Sequence, residues 1–169
     1  MISLPPLDAR RYTLNAKRGF TLIELLVVIG ILTVLFAIVL IAVNPGRQFA
    51  QANNTQRRSD VNAILNAVHQ YAASNKGNLT PLGLDTTERE LCRPVVSCAT
   101  SPLTDAVDIC TQLVSLYLAA MPTDPQTTVS FTNCTSDYST KYSIQSTTNN
   151  RITVKALTPE INETISVTR

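Results

Sequence analysis

Apolar residues run almost unbroken from Phe20 to Val43, and Glu24 is the one charged position among them. A helix of that length reaches roughly 36 Å, enough to cross a hydrocarbon core of roughly 30 Å with some tilt. "NPGR" at 44–47 then interrupts the run. Pro45 lacks a backbone N–H, clashes with the preceding turn and biases Asn44 away from the right-handed helical region, so a helix break is expected there. Helical periodicity resumes at about Gln48. Val61, Ile64, Leu65, Val68, Tyr71 and Ala72 follow i, i+3, i+4, i+7 spacing, with Arg57, Arg58, Asp60, Asn62, Asn66 and Gln70 mostly on the other face. Gly77 is a suitable stop. Residues 20–75 therefore read as one interrupted helix of about 55 residues, apolar all round at first and one-sided afterwards.

Residues 76–126 carry Pro81, Pro94, Pro102, Pro122 and Pro125 and three of the four cysteines. They read as a long connection with a short helix near 105–120. Beyond them the pattern alternates: Tyr138, Tyr142 and Ile144, then Ile152, Val154 and Ala156, then Ile165 and Val167, with "STTNN" at 146–150 as a hairpin turn. The expected fold is α+β: a long N-terminal helix, hydrophobic then amphipathic, packed on a small antiparallel sheet of three or four strands. The expected segments are a cytoplasmic leader 1–19, a transmembrane helix 20–43, its amphipathic continuation 44–75, and a disulfide-bonded head 76–169.

The overall charge of +2 is unevenly placed. Arg10, Arg11, Lys17 and Arg18 against Asp8 give the first 19 residues +3, and the remaining 10 basic and 11 acidic side chains sum to −1. Basic residues before a span favour the cytoplasmic side, which leaves the rest of the chain outside. Nothing after the span is basic enough to predict a specific nucleic-acid partner, and "QRR" at 56–58 reads as a solvated helix face. Cys92, Cys98, Cys110 and Cys134 all fall on the outer side, where disulfides persist. Of the three possible pairings we favour Cys92–Cys98 with Cys110–Cys134. Zinc is disfavoured, because no C-x-x-C pair is present.

Catalytic chemistry has little support. His69 is the only histidine, and no Gly-rich phosphate loop or Ser/His/Asp set is present. No catalytic residue, cofactor or metal is assigned and the chain is not read as an enzyme. Asp105, Asp108 and Asp124 are weighed as a calcium site, with a capped short helix and a turn as the favoured alternative. Sequons stand at Asn53, Asn78, Asn133 and Asn162. "AQA" at 50–52 resembles a signal-peptidase site, but the apolar run is too long for an ordinary signal peptide and carries Glu24. The same run argues against reading Arg10-Arg11 as a twin-arginine signal.

Glu24 needs an explanation, because a charged side chain at a helix centre in a bilayer costs about 2.5–3.5 kcal/mol on insertion scales. "RGFTLIELLVVIGIL" at 18–32 resembles the N-terminus of type IV pilins and of the pseudopilins of type II secretion systems. "YLAAMPTDP" at 117–125 resembles a Y-L-x-x-x-P-x-D-P segment of the same family, and "YSTKYSIQSTTNNRITVKALTPE" at 138–160 resembles its final hairpin. The resemblance implies cleavage by a membrane prepilin peptidase between Gly19 and Phe20 and N-methylation of Phe20. It implies assembly into a helical homo-oligomeric filament by a membrane platform protein and an assembly ATPase, with Glu24 pairing to the new amine. The chain would be a single-pass inner-membrane protein in contact with lipid before assembly. Afterwards it would form part of an extracellular pilus or a periplasmic pseudopilus. Gly30 and Pro45 would soften the helix, with partial melting around 40–47. A type II secretion pseudopilin and a single-span membrane-anchored receptor or binding protein are the alternatives.

Overall fold

A computed structural model describes residues 19–93, 98, 103, 105–149 and 151–169. The leader up to Arg18, together with Pro94, Pro102 and Asn150 of the sequence reading, lies outside the described residues. The chain divides into two units, residues 1–43 and 44–169.

The described part of the first unit is essentially helix α1, Leu22–Val43. It continues through Gly30, and none of its residues is buried. A helix apolar on every side satisfies its own backbone but leaves its side chains needing lipid or other helices. It is long and apolar enough to cross a membrane.

The second unit opens with α2, Pro45–Ser74. The break is narrower than the sequence suggested, since helix begins at Pro45 rather than near Gln48. Asn44 alone leaves the helical region, at φ 45° and ψ 79°, and its Oδ1 accepts from the Arg47 N–H at 3.4 Å. Asn tolerates this left-handed conformation, and at the first helical position Pro45 loses no hydrogen bond. The helix ends where Lys76 (φ 54°) and Gly77 (φ 82°) turn left-handed and the Gly77 N–H closes on the Ala72 carbonyl at 2.7 Å.

The sheet contains β1 (Arg89–Cys92), β2 (Ala106–Val107), β3 (Ser139–Ser146), β4 (Ile152–Ala156) and β5 (Ser166–Thr168). Their spatial order is β2-β1-β3-β4-β5. The fold is α+β as the pattern indicated, but the sheet has five strands rather than three or four and is mixed, because β1 and β2 are parallel. Both extra strands come from the stretch read as a connection; at four and two residues they are too short to show alternation. The helix expected near 105–120 is also corrected. Only Cys110–Leu113 forms one, α3, and it ends at Val114, whose ψ of 143° is extended.

One register unites helix and sheet. Tyr142 faces Ala156, Ile144 faces Val154 and Ser146 faces Ile152 across the β3–β4 hairpin. The buried side chains of that set join Val61, Ile64, Leu65, Val68 and Tyr71 of α2 in the core. On β4 the alternation is clean, with Ile152, Val154 and Ala156 buried. On β3 the intervening Ser139 and Ser143 are buried too, and their hydroxyls bond to Glu90 and Glu88.

Candidate functional site

Two regions carry the polar chemistry. The first is the entry to α1. Thr21 and Glu24 form a capping box: Thr21 N–H and Oγ1 donate to Glu24 Oε2 at 2.8 and 2.7 Å, and the Glu24 N–H donates to Thr21 Oγ1 at 3.2 Å. The lone carboxylate of the apolar run thus has an intrachain partner that the sequence reading missed, although T-x-x-E before an apolar run is the signature that reveals one. Glu24 Oε1 accepts no hydrogen bond among the described residues. Gly19 and Phe20 precede the helix and are exposed, and a Cβ built on Gly19 meets nothing within 4 Å. Packing within the chain therefore does not demand glycine at that position.

The second region is buried in the head. Sequence periodicity placed Arg57 and Asp60 mostly on the solvent side of α2, and "QRR" on a solvated face. The structure instead buries Asn54, Arg57 and Asp60, leaving Arg58 exposed in an ion pair with Glu163 at 2.6 Å. Residues 54, 57, 60, 61 and 64 share one helix face, so the polar triad continues the apolar stripe. Arg57 grips Asp124 bidentately, Nε to Oδ2 at 2.6 Å and Nη2 to Oδ1 at 3.0 Å. Its Nη1 also reaches Glu160 Oε2 at 3.0 Å and Asn54 Oδ1 at 2.9 Å. Asn54 in turn accepts from the Glu160 N–H and donates to the Glu160 carbonyl. Below this hub Tyr142 OH donates to Asp60 Oδ2 at 2.8 Å.

The segment holding Asp124 is itself anchored. The Asp124 N–H donates to the Thr140 carbonyl at 2.9 Å, and the Asp124 side chain caps the turn through the Gln126 N–H at 2.8 Å. The Cys110–Cys134 disulfide brackets it, and Cys92–Cys98 closes a second loop. Both staples restrict the unfolded chain across a region of little apolar periodicity.

Burial pushes the Asp60 carboxyl above its ordinary value, against hydrogen bonds from Tyr142 and Gln56 that pull it down. The folded chain thus holds that proton more tightly, and stability falls as pH rises from the unfolded value of 3.8 through the folded one. Glu160 has the opposite sign. Hydrogen bonds from Asn53 and then Arg57 hold it below the usual range, so its contribution is present above 4.5 and lost as pH drops through the folded value. Asp60→Asn keeps an acceptor for Tyr142 while removing the charge. It is expected to melt above the parent at about pH 7 and to converge with it near about pH 3, as read in thermal melts across that range.

The remaining candidates are dispersed. Asp108 and Asp124 take the capping roles favoured over a calcium site: Asp108 accepts from the Cys110 N–H at the start of α3 at 3.0 Å and from Tyr138 OH at 2.7 Å, and Asp124 caps its turn and is committed to Arg57. No group of three or more potential metal-binding His, Cys, Asp or Glu occurs among the described residues. His69 is half-buried, and its Nε2 has no hydrogen-bond partner. Asn78 and Asn133 use their side-chain carbonyls to cap local turns.

Compared with known proteins, residues 14–40 match the family described as the prokaryotic N-terminal methylation motif. No curated protein and no solved structure matches the chain.

Proposed function

From a chain that carries the N-terminal methylation motif, the signature of type IV pilins and pseudopilins, we propose a structural subunit of a pilus-like filament. It is cleaved after Gly19, methylated on Phe20 and assembled through its N-terminal helices, and it serves adhesion, motility or DNA uptake. The observation that carries this reading is the motif at 14–40 running into a helix that is apolar on all sides, with one carboxylate in its first turn.

The chemistry follows from that placement. Hydrolysis of the Gly19–Phe20 bond leaves a carboxylate on Gly19 and an amine on Phe20. The exposure of Gly19, and the freedom of the chain to accept a larger residue there, support selection of glycine by an outside reader such as a peptidase. The amine arises one residue before the capping box. Glu24 Oε2 is held by Thr21 and Oε1 remains for an incoming charge. Among packed apolar helices, opposite charges 4 Å apart attract by about 4 kcal/mol at an effective dielectric of about 20, against about 1 kcal/mol in water. A subunit whose amine reaches a neighbour's Glu24 is therefore held at one axial stagger. Membrane lipid covers α1 before assembly and neighbouring copies cover it afterwards, under the action of a platform protein and an assembly ATPase.

Mass spectrometry of the mature protein tests the reading. Removing a 19-residue leader from 169 residues leaves 150, beginning with methylated Phe20. A mature chain that retains Met1, or begins elsewhere, removes the premise.

A further inference from the structure

The connection from β4 to β5 is fixed at both ends by the sheet. The Leu157 N–H donates to the Lys141 carbonyl at 3.0 Å, the Ala156 N–H donates to the Ile165 carbonyl at 2.9 Å, and Ile165 is buried. Between these ends no residue of 158–164 is buried. Ile161 and Asn162 both have left-handed backbone, at φ 60° and 53°. A β-branched residue there is a conformational outlier, which persists only where surrounding contacts hold it.

The polar contacts that hold it come from α2 and from the turn at Asp124. Glu160 Oε2 accepts from Arg57 at 3.0 Å, its Oε1 accepts from Gln126 at 2.8 Å, and Asn53 also donates to this carboxylate. Asn54 binds the Glu160 N–H and carbonyl. Glu163 Oε2 accepts from Arg58 at 2.6 Å and from Asn54 at 3.1 Å, and Thr158 donates to Asp124 at 3.2 Å. The charged groups facing Glu160 are therefore Arg57 of α2 and, beyond it, Asp124 of the turn; Arg58 faces Glu163. Hydrogen bonds from Asn53 and then Arg57 hold Glu160 below its usual range, so its grip is complete above 4.5 and lost as pH falls through the folded value.

We propose that residues 158–164 form an acid-released strap: protonation of Glu160 lets the segment lift from α2 while helix and sheet stay folded, opening the buried Arg57–Asp124 pair to water. Release is local, because no buried side chain of the strap has to leave the core. The left-handed residues favour the lifted state, since the backbone relaxes once its clamp is gone.

Hydrogen exchange of the full chain in detergent, read by NMR at the Glu160 and Glu163 amides and corrected for the intrinsic pH dependence of exchange, tests this. Both amides are hydrogen-bonded in the closed strap, to Asn54 Oδ1 and to the Glu160 carbonyl. In the parent their protection is expected to hold from about pH 7 to about pH 5 and to fall several-fold by about pH 3, while the amides of 61–71 in α2 keep theirs. Glu160→Gln retains a carbonyl acceptor for Arg57 without the charge, and is expected to show the lowered protection already at neutral pH. Ile161→Asn relieves the left-handed strain and is expected to keep the strap closed to lower pH than the parent. Protection lost in step with α2, a parent strap indifferent to acid, or parental protection in Glu160→Gln overturns the proposal.

Discussion

Glu24→Gln is expected to abolish filament assembly while leaving α1 capped and the chain in the membrane at normal levels. Glutamine serves the capping box as well as glutamate does, so the bonds to Thr21 survive the change. What disappears is the charge. The variant thereby separates two roles that Glu24→Ala would merge: the local capping seen in the structure, worth about 1 kcal/mol, and the proposed attraction to a neighbour's amine, which would be worth several times more in a low-dielectric bundle. Filament yield by shearing and electron microscopy, alongside membrane levels by immunoblot, reads the outcome. Normal filaments from Glu24→Gln would assign the residue to capping alone. Loss in both variants at parental membrane levels is the result an intermolecular ion pair requires.

Arg57→Met is expected to destabilise the head by roughly 3–5 kcal/mol, because it strands the wholly buried Asp124 and takes away a partner of Glu160. Against a total stability of about 5–15 kcal/mol, that is enough to lower the melting temperature steeply and reduce the amount of chain that survives in the cell. Thermal melts of the full chain in detergent measure it. Adding Asp124→Asn to the methionine variant removes the stranded charge and is expected to recover part of the loss. A double variant whose loss equals the sum of the two single losses would mean that Asp124 is held by its turn, through Gln126 and Thr158, and not by Arg57.

The two residues differ in how openly the chain announces them. Glu24 stands out because its neighbours along the sequence are apolar, and its Thr21 partner is three positions away. Arg57 is hidden because its partners Asp124 and Glu160 lie 67 and 103 residues further on. Periodicity scores a charged side chain as outward-facing, and only the arrival of distant carboxylates lets that side chain enter the interior. The motif "YLAAMPTDP" marked its segment as one to watch, but the task of Asp124 became visible only beneath α2.

Local chemistry along the chain settles α1, the break at Asn44-Pro45, the apolar stripe of α2 and the β3–β4 alternation, since each depends on near neighbours and a single repeat. Tertiary structure decides the rest. It recruits the short strands β1 and β2, takes Asn54, Arg57 and Asp60 inside, and presents Leu116 and Ile161 outside. Those outcomes depend on which remote groups meet, and a backbone N–H, a guanidinium or a strained turn is stabilised only once its partner has been brought to it.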